Sequence, residues 1–278
     1  MDYLKKGWIK SWKAIKSKKR LFLKIFLLQL ILVVAFFYIS VNYQIKIFND
    51  LDDFSGMLEG ANYNTEELKS GEIFSEDTYL IYKSYQSFMN NIQWMIIWLG
   101  LIFILLQSKI WILTVWLLEK KKYPLKFMFK QSLKMWFKFI VSSVVFMGPL
   151  MVGFYLVFKN ILSLGLSIES FSTLSNVGFY LFLILYYLML VSYSQIYLKS
   201  WKQFVKSVFT VSVKKIHYCL VILLINSILI FIPLLIIYLI SSMQELFWLS
   251  FILTLILMFI LVWTRLFWIA SINSIEKK

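Results

Sequence analysis

Six runs of nearly continuous apolar sequence decide what this chain can become. They cover about 21–45, 92–117, 139–158, 178–198, 218–240 and 246–270. A helix needs ~20 apolar residues to cross a bilayer, and every run reaches that length. None alternates with the period of two that marks an outer-membrane strand, which disfavours a β-barrel. Composition agrees: 60% of residues are apolar, 15% are charged and the mean hydropathy is +0.76. A soluble domain carries about 25% charged residues. The expected fold class is all-α, a polytopic membrane protein of six transmembrane helices arranged as three pairs in one domain over residues 1–278.

The formal net charge is +15. Its lysines stand beside the apolar runs, which is the pattern of cytoplasmic flanks and gives no reason to expect a nucleic-acid partner. Basic against acidic residues number nine to one over 1–24, seven to one over 119–138 and five to none over 199–217. The segments between them are acidic or nearly neutral. The positive-inside rule then places both termini in the cytoplasm and the protein in the cell membrane. Twenty basic-rich residues precede the first run without a small-residue cleavage site, so no cleaved signal peptide is expected. The lone Cys219 excludes an internal disulfide.

The three basic stretches, 1–20, 119–138 and 199–217, read as amphipathic elbow helices on the inner surface. In the first, Leu4, Trp8, Trp12 and Ile15 share a face, with lysines largely around the rest. Such a helix lies in the headgroup region of an anionic leaflet. In the second, Leu125, Met128, Phe129, Ser132, Leu133 and Trp136 form an apolar stripe. Lys122, Lys126, Lys130 and Lys134 recur every four residues beside it and are the candidate lipid-phosphate contacts. In the third, Trp201, Phe204, Val208 and Val211 fall on one side.

The outer segment 46–90 holds nine acidic residues against Lys46, Lys69 and Lys83, and its glycines predict two or three short helices. Asp50, Asp52 and Asp53 have the chemistry of a calcium site but not the EF-hand spacing, so they read as a solvated acidic face. Pro149 and Pro233, central in the third and fifth runs, are candidate helix kinks.

Two patterns recur. Ser108-Lys109-Ile110-Trp111, Ser194-Gln195-Ile196-Tyr197 and Thr264-Arg265-Leu266-Phe267 each read hydroxyl, long polar, aliphatic, aromatic. Val141-Ser142-Ser143-Val144 precedes Pro149-Leu150 as Ile225-Asn226-Ser227-Ile228 precedes Pro233-Leu234. Ser108 to Pro149 is 41 residues and Ser194 to Pro233 is 39. The spacing predicts one two-span unit in parallel copies, with the first degenerate. Lys109, Gln195 and Arg265 form a candidate polar ring at the inner interface. They stand 18, 19 and 20 residues from Asn91, Asn176 and Glu245. That is roughly 27–30 Å of helix, one hydrocarbon thickness, so they are expected to snorkel at the inner boundary.

No catalytic motif appears: His217 is the single histidine, and no HExxH, Gly-x-Ser-x-Gly or P-loop occurs. No metal or cofactor is implied, and the expectation is a protein that is not an enzyme. The basic start, paired spans and elbows resemble a loose group of uncharacterised six-span prokaryotic membrane proteins. In layout the chain is also similar to the membrane domain found ahead of some glycerophosphodiester phosphodiesterases. That resemblance implies no activity, because their soluble catalytic domain has no counterpart here. The expected role is a non-enzymatic membrane module (scaffold, partner subunit or inner-leaflet lipid-interacting protein). The alternative is a transporter or channel for a small anionic solute.

Overall fold

A computed structural model describes residues 2–60, 77–119, 125–164, 168–198, 200–241 and 247–276. Its helices are α1 (Asp2–Ser17), α2 (Lys19–Gly60), α3 (Asp77–Ile102), α4 (Ser108–Leu118), α5 (Leu125–Leu164), α6 (Ile168–Ser194), α7 (Trp201–Phe209), α8 (Ile216–Ser241) and α9 (Phe247–Glu276). π-Helical turns at Phe103–Gln107 and Thr210–Lys214 join α3 to α4 and follow α7. No strand occurs among the described residues. Six stretches are long and apolar enough to cross a membrane: Lys19–Asp53, Tyr82–Leu118, Met128–Gly153, Asn176–Ser194, Ile216–Ile240 and Trp248–Glu276. The protein is thus all-α and polytopic, and each expected apolar run overlaps one of these stretches.

Two local expectations need correction. The basic stretch 119–138 is not a separate elbow. From Leu125 onward it forms the first turns of α5, which continues without a break to Leu164. No Gly, Pro or β-branched residue lies between Leu125 and Phe139 to interrupt it. The acidic segment does not divide into short helices where it is described: 46–60 completes α2 and 77–90 opens α3. Both interior prolines, Pro149 and Pro233, lie within helices that run on past them.

The chain divides into two compact units. The second comprises Val33–Phe103 and Met151–Ser167. Phe88, Met89 and Ile92 of α3 form its buried cluster, with Ile47, Tyr85 and Ile96 packed against them. The Asp50 carboxylate accepts hydrogen bonds from Ser87 Oγ at 2.9 Å and Asn91 Nδ2 at 2.7 Å, so it ties α2 to α3. Among the described residues, no group of three His, Cys, Asp or Glu side chains is placed to hold a metal ion.

The first unit comprises Met1–Leu32, Ile104–Leu150 and Ile168–Lys278. Its core is the C-terminal half of α9, where Val262, Leu266, Phe267, Ile269, Ala270 and Ile272 are buried. α1 and α8 pack along α9, and α4 and α6 also touch it. α1 is held on protein by a face one residue, or about 100°, away from the stripe expected to meet lipid. Tyr3, Gly7, Ser11 and Ala14 are buried, together with Ile15, while Trp8 and Trp12 flank the seam against Trp263, Phe267 and Phe259. A Cβ built on Gly7 would lie 2.0 Å from Ser271 Oγ and 3.1 Å from Ser271 Cα, so glycine is what lets the two helices approach. α1 and α9 also supply the cover that the apolar end of α4 requires.

Candidate functional site

Helices of this length end in carbonyl groups that no residue of the same helix can satisfy. In the first unit three lysines meet them. Lys18 Nζ, just before α2, donates to the carbonyls of Trp116, at 2.8 Å, and of Glu119, at the end of α4. Lys138 Nζ, in α5, donates to the Leu198 carbonyl just beyond α6. Lys215 Nζ, just before α8, donates to the Ile275 carbonyl at the end of α9, at 2.7 Å. Each is a cation at the negative end of a helix, the favourable sense of its dipole. Each also joins an odd-numbered span to the next even-numbered one. The second and third pairs share a separation of 60 residues.

The markers behave alike as well. Ser108, Ser194 and Thr264 each donate to the carbonyl three residues earlier, at 3.1, 2.6 and 3.1 Å. The polar residues that follow them do not come together as a ring. Lys109 is exposed. Gln195 is fully buried, with its side-chain amide 3.1 Å from the hydroxyl of Ser207. Arg265 Nη2 donates to Gln29 Oε1 at 2.9 Å, and Arg265 Cζ lies 5.5 Å from the Trp111 ring centroid. The three share no hydrogen bond, and of them Arg265 alone lines the cavity beside it.

Around the ends of α6 and α9 the polar groups interlock. Glu276 accepts from Tyr197 OH at 2.7 Å and from Ser207 Oγ at 2.8 Å. Ser200 caps α7 by accepting from the Gln203 backbone N–H at 3.1 Å. Lys138 is only 2% exposed, and its ammonium stands 5.8 Å from the Trp201 ring centroid and 5.4 Å from that of Phe204. Burial holds the Lys18 ammonium below its ordinary pKa, with Glu119 opposing. Burial likewise holds the Glu119 carboxyl above the usual carboxylate range, with Lys18 opposing.

Beside this network lies a groove of about 360 Å³. Lys130, Gln131, Lys134 and Met135 of α5 form one wall, and Ile196, Tyr197 and Leu198 form the other. Lys130 and Lys134 are exposed, as are the apolar neighbours Phe129 and Leu133. Lys122 lies outside the described residues; Lys126 lies on α5, but its side chain is outside the described part. Two of the four expected lipid contacts thus share a groove with an apolar floor. The chemistry such a groove offers is charge pairing with an anion whose remaining surface is apolar.

The sequence marks Lys18, Lys138 and Lys215 only as inner charges, and their place at helix ends is not legible there. What the sequence does show is position: each stands at the start of an odd-numbered span. Gln29 and Glu276 carried no comparable signal, because their partners are 236 and 79 residues away.

No family model, curated protein or solved structure matches this chain. The likeness to the membrane domain of glycerophosphodiester phosphodiesterases therefore rests on layout alone and is carried no further. The six apolar helices make the chain an integral membrane protein.

Proposed function

We propose that this protein is a non-enzymatic module of the cell membrane, with both termini in the cytoplasm, that binds anionic lipid of the inner leaflet. The observation that carries this reading is the groove that Lys130 and Lys134 line together with Met135 of α5 and Ile196 and Leu198 just beyond α6. An anionic headgroup pairs with the lysines while the start of an acyl chain lies on their aliphatic stems and on half-buried Leu198. The exposed Lys5, Lys6, Lys13 and Lys16 of α1 add to the same sign of charge. The reading assigns the protein no reaction. Gln195, Ser207, Tyr197 and Glu276 are all engaged in bonds between helix ends.

We further infer that one two-span unit is used three times. Three lysine-to-carbonyl bonds within pairs and three hydroxyl bonds to the carbonyl three residues back support it. The first copy then differs from the others by the acidic segment and by having no proline in its first span.

The lipid reading is tested in nanodiscs of phosphatidylcholine with and without phosphatidylglycerol, by native mass spectrometry of the lipids retained. The wild type is expected to retain phosphatidylglycerol selectively. At about 1 kcal/mol per lysine near an anionic surface, removing both charges in Lys130→Gln/Lys134→Gln weakens retention by roughly 30-fold. Equal retention of neutral and anionic lipid by the wild type contradicts the proposal.

A further inference from the structure

The cavity beside Arg265 shares no lining residue with the lysine groove. Its volume is about 150 Å³ and it is partly open. An apolar cavity of about that size stays dry and takes up benzene. This wall is of another kind. Arg265 enters it from α9, Trp111 from α4, Asn226 from α8, and Gln107 from the π-helical turn before α4. The guanidinium is fixed on one side by Gln29 and lies against the Trp111 ring. Its Nη1 has no partner, and neither do the buried Trp111 Nε1, Gln107 Oε1 and Asn226 Oδ1. Asn226 Nδ2 donates to the Thr264 carbonyl at 3.3 Å, which makes the carbonyl oxygen the free end of that amide.

Two donors and two acceptors on residues that line the cavity are therefore unpaired, together with a positive charge that no carboxylate among the described residues meets. An unpaired buried polar atom is costly, and an ionisable group inside a membrane protein more so. Water supplies partners for donors and acceptors but does not balance the charge. A carboxylate or a fully substituted phosphodiester balances the charge but leaves the two acceptors unpaired.

We propose that this cavity binds a phosphate-containing group that also carries an O–H. Its anionic oxygens accept from Arg265 Nη1 and Trp111 Nε1, and its hydroxyl donates to Asn226 Oδ1 or Gln107 Oε1. The planar guanidinium suits phosphate oxygens in geometry as well as in charge. Two sources share this chemistry: free hydrogen phosphate, and a lipid headgroup that joins a phosphodiester to a free hydroxyl, as phosphoglycerol does.

The test measures binding of radiolabelled inorganic phosphate to the full chain in phosphatidylcholine nanodiscs. Wild type is expected to bind saturably. Arg265→Gln is expected to lose roughly 10- to 100-fold, the equivalent of one hydrogen bond to a charged group. Trp111→Phe keeps the ring, removes only the N–H and is expected to lose less. In a second arm the nanodiscs contain phosphatidylglycerol and native mass spectrometry scores bound lipid. Wild type retaining two phosphatidylglycerols per chain, with one lost in Arg265→Gln and the other in Lys130→Gln/Lys134→Gln, assigns the phosphate to the headgroup. Wild type and the folded Trp111→Phe variant binding both probes alike, or wild type binding neither, overturns the proposal. The groove variant runs in the same assay, so failure of the cavity and failure of the groove are read separately.

Discussion

At Gly7 the close approach of α1 and α9 depends on a missing methyl group. Rotation of the Ser271 hydroxyl relieves the 2.0 Å contact that a Cβ would make, but the 3.1 Å approach to Ser271 Cα stays. Gly7→Ala is therefore expected to destabilise the folded protein by about 1–3 kcal/mol, the usual range for overpacking. Thermal unfolding in detergent reads this as a lower midpoint, and Ser271→Gly in the same chain is expected to restore part of it. No change in the midpoint would mean that the helices separate freely. This contact was not legible in the sequence. Leu4, Trp8, Trp12 and Ile15 make an apolar stripe that suits lipid and an apolar helix equally well. Only the neighbouring helix decides that the smaller side, Gly7, Ser11 and Ala14, is the one to be buried.

Among the elements, the lysines that reach helix ends carry the testable weight. Replacing Lys138 or Lys215 by Met keeps an apolar stem and leaves a carbonyl at a helix end without its charged donor. Losing such a bond costs about 1.5–3 kcal/mol. Lys138→Met is expected to lower the unfolding midpoint more than Lys215→Met, because Lys138 is also enclosed by Trp201 and Phe204. Lys109→Met, at an exposed side chain, is the control and is expected to change little. Equal midpoints in all three variants would remove the caps from the account. The apolar runs themselves were legible, because length and composition alone fix them. The elbows were legible only in part. The stretch 199–217 does turn, where β-branched Thr210, Val211 and Val213 crowd a helix at the π-helical turn. The stretch 119–138 offers no such residue from Leu125 to Phe139, and the basic turns simply extend the span.

At the scale of the whole molecule, the proposed topology puts three lysine-capped helix ends, the basic groove and both termini on one side of the membrane. The candidate ring of Lys109, Gln195 and Arg265 was legible as three polar residues at matching depth, but depth says nothing of direction around a helix. One is exposed, one bonds Ser207 and one bonds Gln29 beside a cavity. The sidedness itself rests on the charge alternation and is open to a direct measurement. Cys219 is fully buried, so Cys219→Ser gives a background in which single introduced cysteines report their own position. Lys13, Lys202, Asp53 and Asn176 are exposed and suit such replacements. With a membrane-impermeant maleimide on intact cells, Asp53→Cys and Asn176→Cys are expected to be labelled. Lys13→Cys and Lys202→Cys are expected to be labelled only after the membrane is opened. Labelling of Lys13→Cys or Lys202→Cys in intact cells would contradict the proposed topology.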